Sequence, residues 1–160
     1  MRLILMRHCK SSWDHPGMRD HDRPLNGRGA RSAKALGDWL RAEGYLPDVA
    51  LISSSRRTME TFEGLRLTCE SRYTRALYHA EAEAMMDVLQ SAEAQTILLI
   101  GHNPGIAEFA DRIVRQRPDH ARFWDYPTGA TLIADFDGAP AFGTANARDF
   151  VIPRALLDQE

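Results

Sequence analysis

The sequence has few cysteines and no long apolar run. Its 160 residues include two cysteines, Cys9 and Cys69, which are too few for a disulfide framework. The first residues read as a strand rather than as a secretory signal, so we expect a cytoplasmic protein. The apolar run 97–100 falls far short of the roughly 20 residues that cross a bilayer, and we therefore expect no membrane partner.

The sequence also has little net charge. It carries 20 lysines and arginines against 22 aspartates and glutamates, for a formal net charge of -2. We therefore expect no nucleic-acid partner, and any anion must be bound by a local cluster of cations. His, Cys, Asp and Glu do not cluster at the spacing of metal ligands, so we expect no metal and no cofactor. The length suits a single domain, residues 1–160, with a core of its own.

Short apolar runs alternate with helical patterns along the chain. Clear strands are predicted at 3–6, 49–52 and 96–100, and further strands within 68–78, at 131–136 and at 150–152. Amphipathic patterns predict helices at 28–43, from the serines after 52 to about 67, at 81–91 and at 106–115. This order predicts an α/β fold of three α/β/α layers with a mostly parallel central sheet.

Polar residues between these elements predict caps, a turn and a functional loop. A serine among 53–55 suits the N-cap of the second helix, and Asn103 followed by Pro104 suits the start of the fourth. Asp137-Gly138 is typical of a tight turn between the last two strands. Residues 9–26 show no periodicity, and a loop of that length in a compact domain is usually functional.

Basic side chains follow three predicted strands at the point where each strand ends. Arg7-His8 follows the first strand, Arg56-Arg57 the second and His102 the third. Because ligands of parallel α/β sheets lie beyond the carboxyl ends of the strands, we expect these side chains to share one site. Guanidinium groups match the oxygens of a phosphate dianion, and the helix N-termini that follow add N–H donors.

The two histidines indicate more than phosphate binding. A neutral imidazole has a free nitrogen that can attack phosphorus, and a second ring can hydrogen-bond a phosphoryl oxygen. The predicted reaction is phosphoryl transfer through a phosphohistidine intermediate. The arginines would supply the charge that Mg²⁺ supplies in other phosphotransfer enzymes.

Four motifs resemble, in the same order, those of the histidine phosphatase superfamily, to which cofactor-dependent phosphoglycerate mutases also belong. Residues 7–11 resemble its Arg-His-Gly/Ala motif, and residues 20–29 resemble the Arg-Pro-Leu…Gly stretch of compact SixA-type phosphohistidine phosphatases. Residues 53–61 resemble its Ser-Pro…Arg-Ala-x-Gln-Thr segment, and residues 101–105 its second-histidine motif. The resemblance covers nearly the whole chain and implies a phosphoglycerate mutase-like fold.

The resemblance also implies roles for individual residues. His8 is then the nucleophile, Arg7 and Arg57 bind the phosphoryl oxygens, and His102 is the second histidine. Arg57 is favoured over the preceding arginine because it stands four residues before a threonine, as in the family. Cys9 occupies a position where the family has Gly or Ala, and a small apolar filler is favoured there over a redox role.

Lys10, Ser11 and Arg23 are predicted to bind substrate at the edge of the site. Arg23 has two interpretations. The proline after it fixes an extended backbone that would aim the side chain at the phosphate. Alternatively, it forms a structural ion pair with Asp20 or Asp22.

The sequence does not fix a general acid for the leaving group. Glu81, Glu83 and Asp22 are the candidates, together with Asp20, although an exposed carboxylate is the default for each. A protein phosphohistidine is a better leaving group than an alkoxide once its nitrogen is protonated, so a dedicated acid would be dispensable for that substrate.

We therefore expect a metal-independent phosphatase that hydrolyses phosphohistidine on a protein through an intermediate at His8. One alternative is a small-molecule phosphomonoesterase of the same superfamily, whose partner would be a small phosphate ester. The other is a non-catalytic phosphate-binding module, which is disfavoured because both histidines and the arginines are present.

Overall fold

A computed structural model of the protein describes residues 1–157. Within that range the strands are β1 (Arg2–Arg7), β2 (Val49–Ser53), β3 (Glu70–Thr74), β4 (Thr96–Gly101), β5 (Thr131–Phe136) and β6 (Ala145–Val151). The α-helices are α1 (Gly27–Glu43), α2 (Arg56–Leu65), α3 (Ala82–Gln90), α4 (Gly105–Ile113) and α5 (Pro153–Leu157), and short 3-10 helices lie at Asp20–Asp22 and Arg75–Leu77. The predicted domain extends to residue 160, and its last three residues lie outside the described residues.

The strands form one sheet in the order β3-β2-β4-β1-β5-β6. Strands β3, β2, β4 and β1 run parallel to one another, whereas β5 is antiparallel to β1 and β6 is antiparallel to β5. The predicted α/β fold is confirmed, and the mostly parallel sheet is confirmed in outline, with an antiparallel edge that the prediction lacked. Because β2, β4 and β1 are adjacent and parallel, their carboxyl ends meet at one edge of the sheet.

Helices cover both faces of the sheet, which explains why the central strands are apolar throughout. Alternate side chains of a strand point to opposite faces. Leu3 and Leu5 of β1 pack with α3 and α4, while Ile4 and Met6 pack with α1 and α2, and all four are fully buried. The predicted three-layer arrangement therefore holds. Among the helices of residues 1–157, none combines the length and apolar character that a membrane span requires.

Side-chain caps begin two of the helices as predicted, but not the helix after β4. The Asn26 side chain accepts from the Gly29 N–H at 2.8 Å at the start of α1, and Ser55 caps α2. The prediction that Asn103 caps α4 is wrong, because Pro104 occupies the N-cap position. The Asn103 amide instead donates to the backbone carbonyl of Asp125 at 2.8 Å and so ties the start of α4 to the segment before β5.

The connection between β5 and β6 also differs from the prediction. A tight turn at Asp137-Gly138 is wrong, since β6 begins only at Ala145 and the intervening residues form a longer loop. This loop is held against the helices: the ring of Phe142 packs edge-on against Phe109 of α4, and the Gly143 N–H donates to the backbone of Arg112. Tertiary contacts of this kind override the local turn preference.

Candidate active site

A cleft of about 440 Å³ lies at the carboxyl edge of the parallel strands. The structure brings into its wall every residue that the sequence predicted as catalytic or substrate-binding, namely Arg7, His8, Lys10, Ser11, Arg23, Arg57 and His102. Sequence reasoning did not assign Trp13, His79, Asn103, Arg122, Asp125, Pro127 or Thr128 to the site, and it considered Asp20 only as an acid or an ion-pair partner, yet all of these line the same cleft.

His8 follows β1 directly and is buried with one ring nitrogen available. Its Nδ1 lies 2.7 Å from the backbone carbonyl oxygen of Cys9. A carbonyl oxygen can only accept, so Nδ1 carries the proton and Nε2 keeps its lone pair. Burial, with the nearby charges of Arg7 and Arg57, lowers the pKa of His8 to about 3. At neutral pH the ring is therefore neutral, with an unprotonated Nε2.

His102 follows β4 and is held in the opposite tautomer. Its Nδ1 lies 3.3 Å from the Arg57 guanidinium, which can only donate, so Nδ1 accepts. The Nε2–H then donates to the hydroxyl of Ser53 at 2.8 Å. Burial first, and then the neighbouring groups His8 and Arg57, lower the pKa of His102 to about 2. The two rings are close, with 5.3 Å between their centroids.

Arg7 and Arg57 supply the positive charge of the cleft. The Arg57 side chain is only 3% exposed, and it donates to the carbonyl oxygen of Asp20 at 2.7 Å. Arg7 donates to the carbonyl oxygen of Tyr126 at 3.1 Å. In the described part of the chain, the Nε of each guanidinium is buried without a hydrogen-bond partner. Since an unpaired buried donor is costly, these groups favour an anionic ligand.

Asp20 joins the loop after β1 to the rest of the site. Its carboxylate accepts from Tyr78 at 2.6 Å, from Arg57 at 3.0 Å and from Arg23 at 3.1 Å. Desolvation raises the pKa of Asp20, but the hydrogen bonds from Tyr78 and Arg57 outweigh it and hold that pKa well below its usual range. The carboxylate therefore stays ionised and offsets part of the arginine charge.

Arg23 forms the predicted ion pair and also lies in the cleft, where its predicted contact with phosphate stays a prediction. Its guanidinium forms the ion pair with Asp20, and it also lines the cleft, where it donates to the Ser11 hydroxyl at 2.8 Å. The exposed ring of Trp13 lies over it, with the guanidinium carbon 3.6 Å from the ring centroid. Arg23 is thus held in place between the first loop and the site.

Of the four predicted general acids, Asp20 lines the cleft but is held ionised, and the other three lie elsewhere. Glu81 is exposed just before α3, Glu83 accepts from Arg112 at 2.6 Å, and Asp22 accepts from Arg19 at 3.2 Å. Within residues 1–157, the wall of the cleft includes none of these three carboxylates. Their positions give no support to the prediction that one of them protonates the leaving group.

His79 is a titratable residue of the cleft that the sequence analysis did not assign to the site. Its Nε2 lies 3.2 Å from the Asp20 carboxylate, and its ring centroid lies 5.2 Å from that of His102. The sequence contained a pattern that indicates this position, because His79 comes shortly after β3 and the carboxyl end of β3 lies at the same edge of the sheet. Applying the strand-end rule to this fourth parallel strand would have found it.

Buried contacts behind His8 fix its position. The Thr61 hydroxyl donates to the carbonyl oxygen of Arg57 at 2.7 Å and accepts from the Cys9 N–H at 2.9 Å, so α2 is tied to the chain that carries His8. Burial raises the pKa of the Cys9 thiol to about 12, which agrees with a packing role. In residues 1–157, no three His, Cys, Asp or Glu side chains are grouped as metal ligands.

Comparisons with known proteins indicate the family of the chain. The histidine phosphatase superfamily (branch 1) matches residues 3–78. An uncharacterized chloroplastic protein of Arabidopsis thaliana is 33% identical, and the match covers 70% of this chain and 58% of that protein. An uncharacterized protein of Mycobacterium leprae is 36% identical, and the match covers 66% of this chain and 68% of that protein. The solved structure of a candidate phosphohistidine phosphatase, SixA, from Nakamurella multipartitia matches with a TM-score of 0.81 and 29% identity, covering 95% of each chain.

The protein belongs to the histidine phosphatase superfamily. Its α/β fold is the fold of that superfamily. The chain spans less than two thirds of the length of the Arabidopsis relative.

Proposed function

We propose that the protein is a phosphatase that hydrolyses phosphohistidine on a protein, with a covalent phosphohistidine intermediate at His8. The observation that carries this proposal is the tautomer of His8. A buried, neutral ring donates from Nδ1 to Cys9 and leaves Nε2 free beside two arginines. A phosphoryl dianion held by those arginines would present its phosphorus to this nitrogen.

The proposed reaction has two steps at His8. In the first, Nε2 attacks phosphorus, the bond to the leaving nitrogen or oxygen breaks, and the phosphoryl group stays on the ring. In the second, water attacks the same phosphorus, and His8 leaves as phosphate forms. Arg7 and Arg57 face the non-bridging oxygens in both steps and balance their negative charge.

His102 has a supporting role in this proposal. In the unliganded site its Nδ1 accepts from Arg57. A phosphoryl dianion bound to Arg57 adds negative charge beside the ring and so favours the protonated form of His102. The imidazolium would then donate to a phosphoryl oxygen as charge develops in the transition state. His102→Gln should therefore lower the rate of phosphoryl transfer more than the affinity for phosphate.

Phosphohistidine is the preferred substrate for two reasons. The candidate acids Glu81, Glu83 and Asp22 do not line the cleft, and the fourth candidate, Asp20, lines it in its ionised form. A phosphoramidate makes a smaller demand on a dedicated acid than an alkyl ester does. One protein of known structure that resembles this chain is itself named a candidate phosphohistidine phosphatase. The cytoplasm stays the predicted location.

A comparison of substrates tests the proposal. Turnover of a phosphohistidine peptide is measured beside p-nitrophenyl phosphate and a sugar phosphate, for the wild type, for His8→Asn and for His15→Asn, an exposed histidine outside the cleft. We expect the peptide to have the highest kcat/KM, His8→Asn to abolish turnover, and His15→Asn to retain it. Faster hydrolysis of the esters would favour the small-molecule phosphomonoesterase instead.

A further inference from the structure

A second groove, of about 300 Å³, opens beside the catalytic cleft. The two share Lys10, Arg122, Pro127 and Thr128 in their walls. The groove then continues away from His8 between the first turn of α1 and the first turn of α5. A ligand whose phosphoryl group lies in the cleft can therefore extend into this groove without leaving the surface.

The wall of the groove, called here the basic groove, is cationic. Its charged residues are Lys10, Arg28, Arg122 and Arg154, and as far as residues 1–157 line it, none is acidic. Asp125, outside the groove, offsets the charge of Arg122 through contacts as short as 2.8 Å. For the side chains of Lys10 and Arg28, by contrast, the described part of the chain provides no hydrogen bond or ion pair, although the whole chain has a net charge of -2.

A serine hydroxyl also lines the basic groove. The residue Ser32 is 4% exposed, and within the described range its side chain has no hydrogen-bond partner. Its hydroxyl is therefore available to a polar ligand in the groove. Arg28 lies in the first turn of the 17-residue helix α1, one turn before Ser32, and the N-terminal end of that helix favours negative charge.

We propose that the basic groove binds a second anionic group of the substrate while the phosphoryl group to be transferred lies beside His8. The chemistry it selects is an oxyanion, either a carboxylate or a second phosphate. For a phosphoprotein the oxyanion is an aspartate or glutamate side chain near the phosphohistidine. This inference rests on the proposed function for the position of the transferred group, and it adds a reason why one phosphoprotein is chosen over another.

Calorimetry tests the groove without requiring any turnover. Orthophosphate fits the catalytic cleft alone, whereas tripolyphosphate reaches into the basic groove. The variants are Arg28→Gln and Ser32→Ala, because these two residues line the groove and not the cleft. The matched control is Arg31→Gln, since Arg31 is an exposed arginine of the same helix and lines neither wall. We expect Arg28→Gln to weaken the binding of tripolyphosphate about threefold, which is the effect of one exposed charge pair. The affinity for orthophosphate should stay unchanged.

The control and the salt dependence separate this site from general attraction. Arg31→Gln should bind both anions as the wild type does, and the difference between Arg28→Gln and the wild type should shrink as salt is raised. Ser32→Ala should weaken tripolyphosphate at both salt concentrations. Equal losses for Arg28→Gln and Arg31→Gln, or no loss in either groove variant, would overturn the inference.

Peptides identify the source of the oxyanion. Phosphohistidine peptides with glutamate or glutamine beside the phosphohistidine are compared, and we expect glutamate to lower KM in the wild type but not in Arg28→Gln. If both peptides are cleaved with the same KM and Arg28→Gln does not change tripolyphosphate binding, the proposed role of the groove is refuted while the proposed function stands. If no peptide is cleaved but tripolyphosphate binding depends on Arg28, the groove stands, its ligand is a second phosphate, and the proposed function fails.

Discussion

The burial of His8 makes the stability of the fold depend on pH in a measurable way. The residue is 6% exposed, and its pKa is lowered from 6.5 to about 3, chiefly by burial. In the unfolded chain the ring returns to its ordinary pKa. Below pH 6.5 the His8 ring of the unfolded chain therefore binds a proton, whereas the ring of the folded chain stays unprotonated down to about pH 3. The free energy of unfolding must fall as pH falls through this window.

The size of this effect follows from the two pKa values. Between pH 7 and pH 5 the unfolded ring passes from mostly neutral to mostly protonated, while the folded ring stays neutral. Linkage then gives a loss of about 2 kcal/mol for one histidine. His102 contributes in the same direction, because its pKa is also lowered.

The substitution His8→Asn isolates the contribution of His8. The asparagine amide keeps a donor near the Cys9 carbonyl but cannot titrate, and His102 is present in both proteins. Urea unfolding followed by circular dichroism at pH 7 and pH 5 should show a stability loss about 2 kcal/mol smaller in His8→Asn than in the wild type. His15→Asn, at an exposed position, serves as the control and should behave as the wild type. An equal loss in His8→Asn and the wild type would refute the reasoning.

Two further substitutions test the structure around the cleft. Gly105→Ala would place a Cβ 1.8 Å from the carbonyl oxygen of Ala80, so we expect the free energy of unfolding measured in urea to fall by about 3 kcal/mol. The control Gly138→Ala has open space around it and should stay within about 0.5 kcal/mol of the wild type. A wild-type stability for Gly105→Ala would contradict the packing described. Asp20→Asn removes the ionised partner of Arg57, and because the Asp20 side chain is 40% exposed the expected loss at pH 7 is only about 1 kcal/mol. Since the folded pKa of Asp20 is depressed, this difference should be present above about pH 4 and disappear as the pH falls below it, which unfolding at a series of pH values measures.

The centre of the site could be predicted because it depends on strand ends. Arg7 ends β1, His8 and His102 directly follow β1 and β4, and Arg57 lies in the first turn of α2, shortly after β2. Strands β1, β4 and β2 are neighbours in the sheet. Short apolar runs in the sequence locate such strands, and the direction of the sheet brings their carboxyl ends together. The position of these residues therefore needed no knowledge of side-chain packing.

The rest of the site could not be placed in the same way. Asp20 lies in the long loop after β1 and reaches the cleft because Arg57 and Tyr78 hold its carboxylate. His79 is the exception, because the strand-end rule applied to β3 would have found it, although its backbone φ of 52° is a left-handed conformation that no periodic pattern indicates. Loop paths are decided by such tertiary contacts rather than by local sequence preference.

The edge strands show the same limit. The alternation of apolar residues located β5 and part of β6 but did not reveal that β5 runs antiparallel to β1. Strand direction depends on the connection between the strands, which the apolar pattern of the strands does not show. The helix α5 at Pro153–Leu157 was also missed, because it is too short for a helical period to appear in the sequence. The predicted N-cap at Asn103 failed because its amide has tertiary partners instead.

The most direct test of the account is to trap the intermediate. The enzyme is mixed rapidly with ³²P-labelled p-nitrophenyl phosphate, quenched in alkali and mapped by mass spectrometry. The account predicts an acid-labile, alkali-stable phosphoryl group on Nε2 of His8, present in His15→Asn and absent from His8→Asn. An adduct that still forms in His8→Asn, or one that maps to another residue, would contradict it.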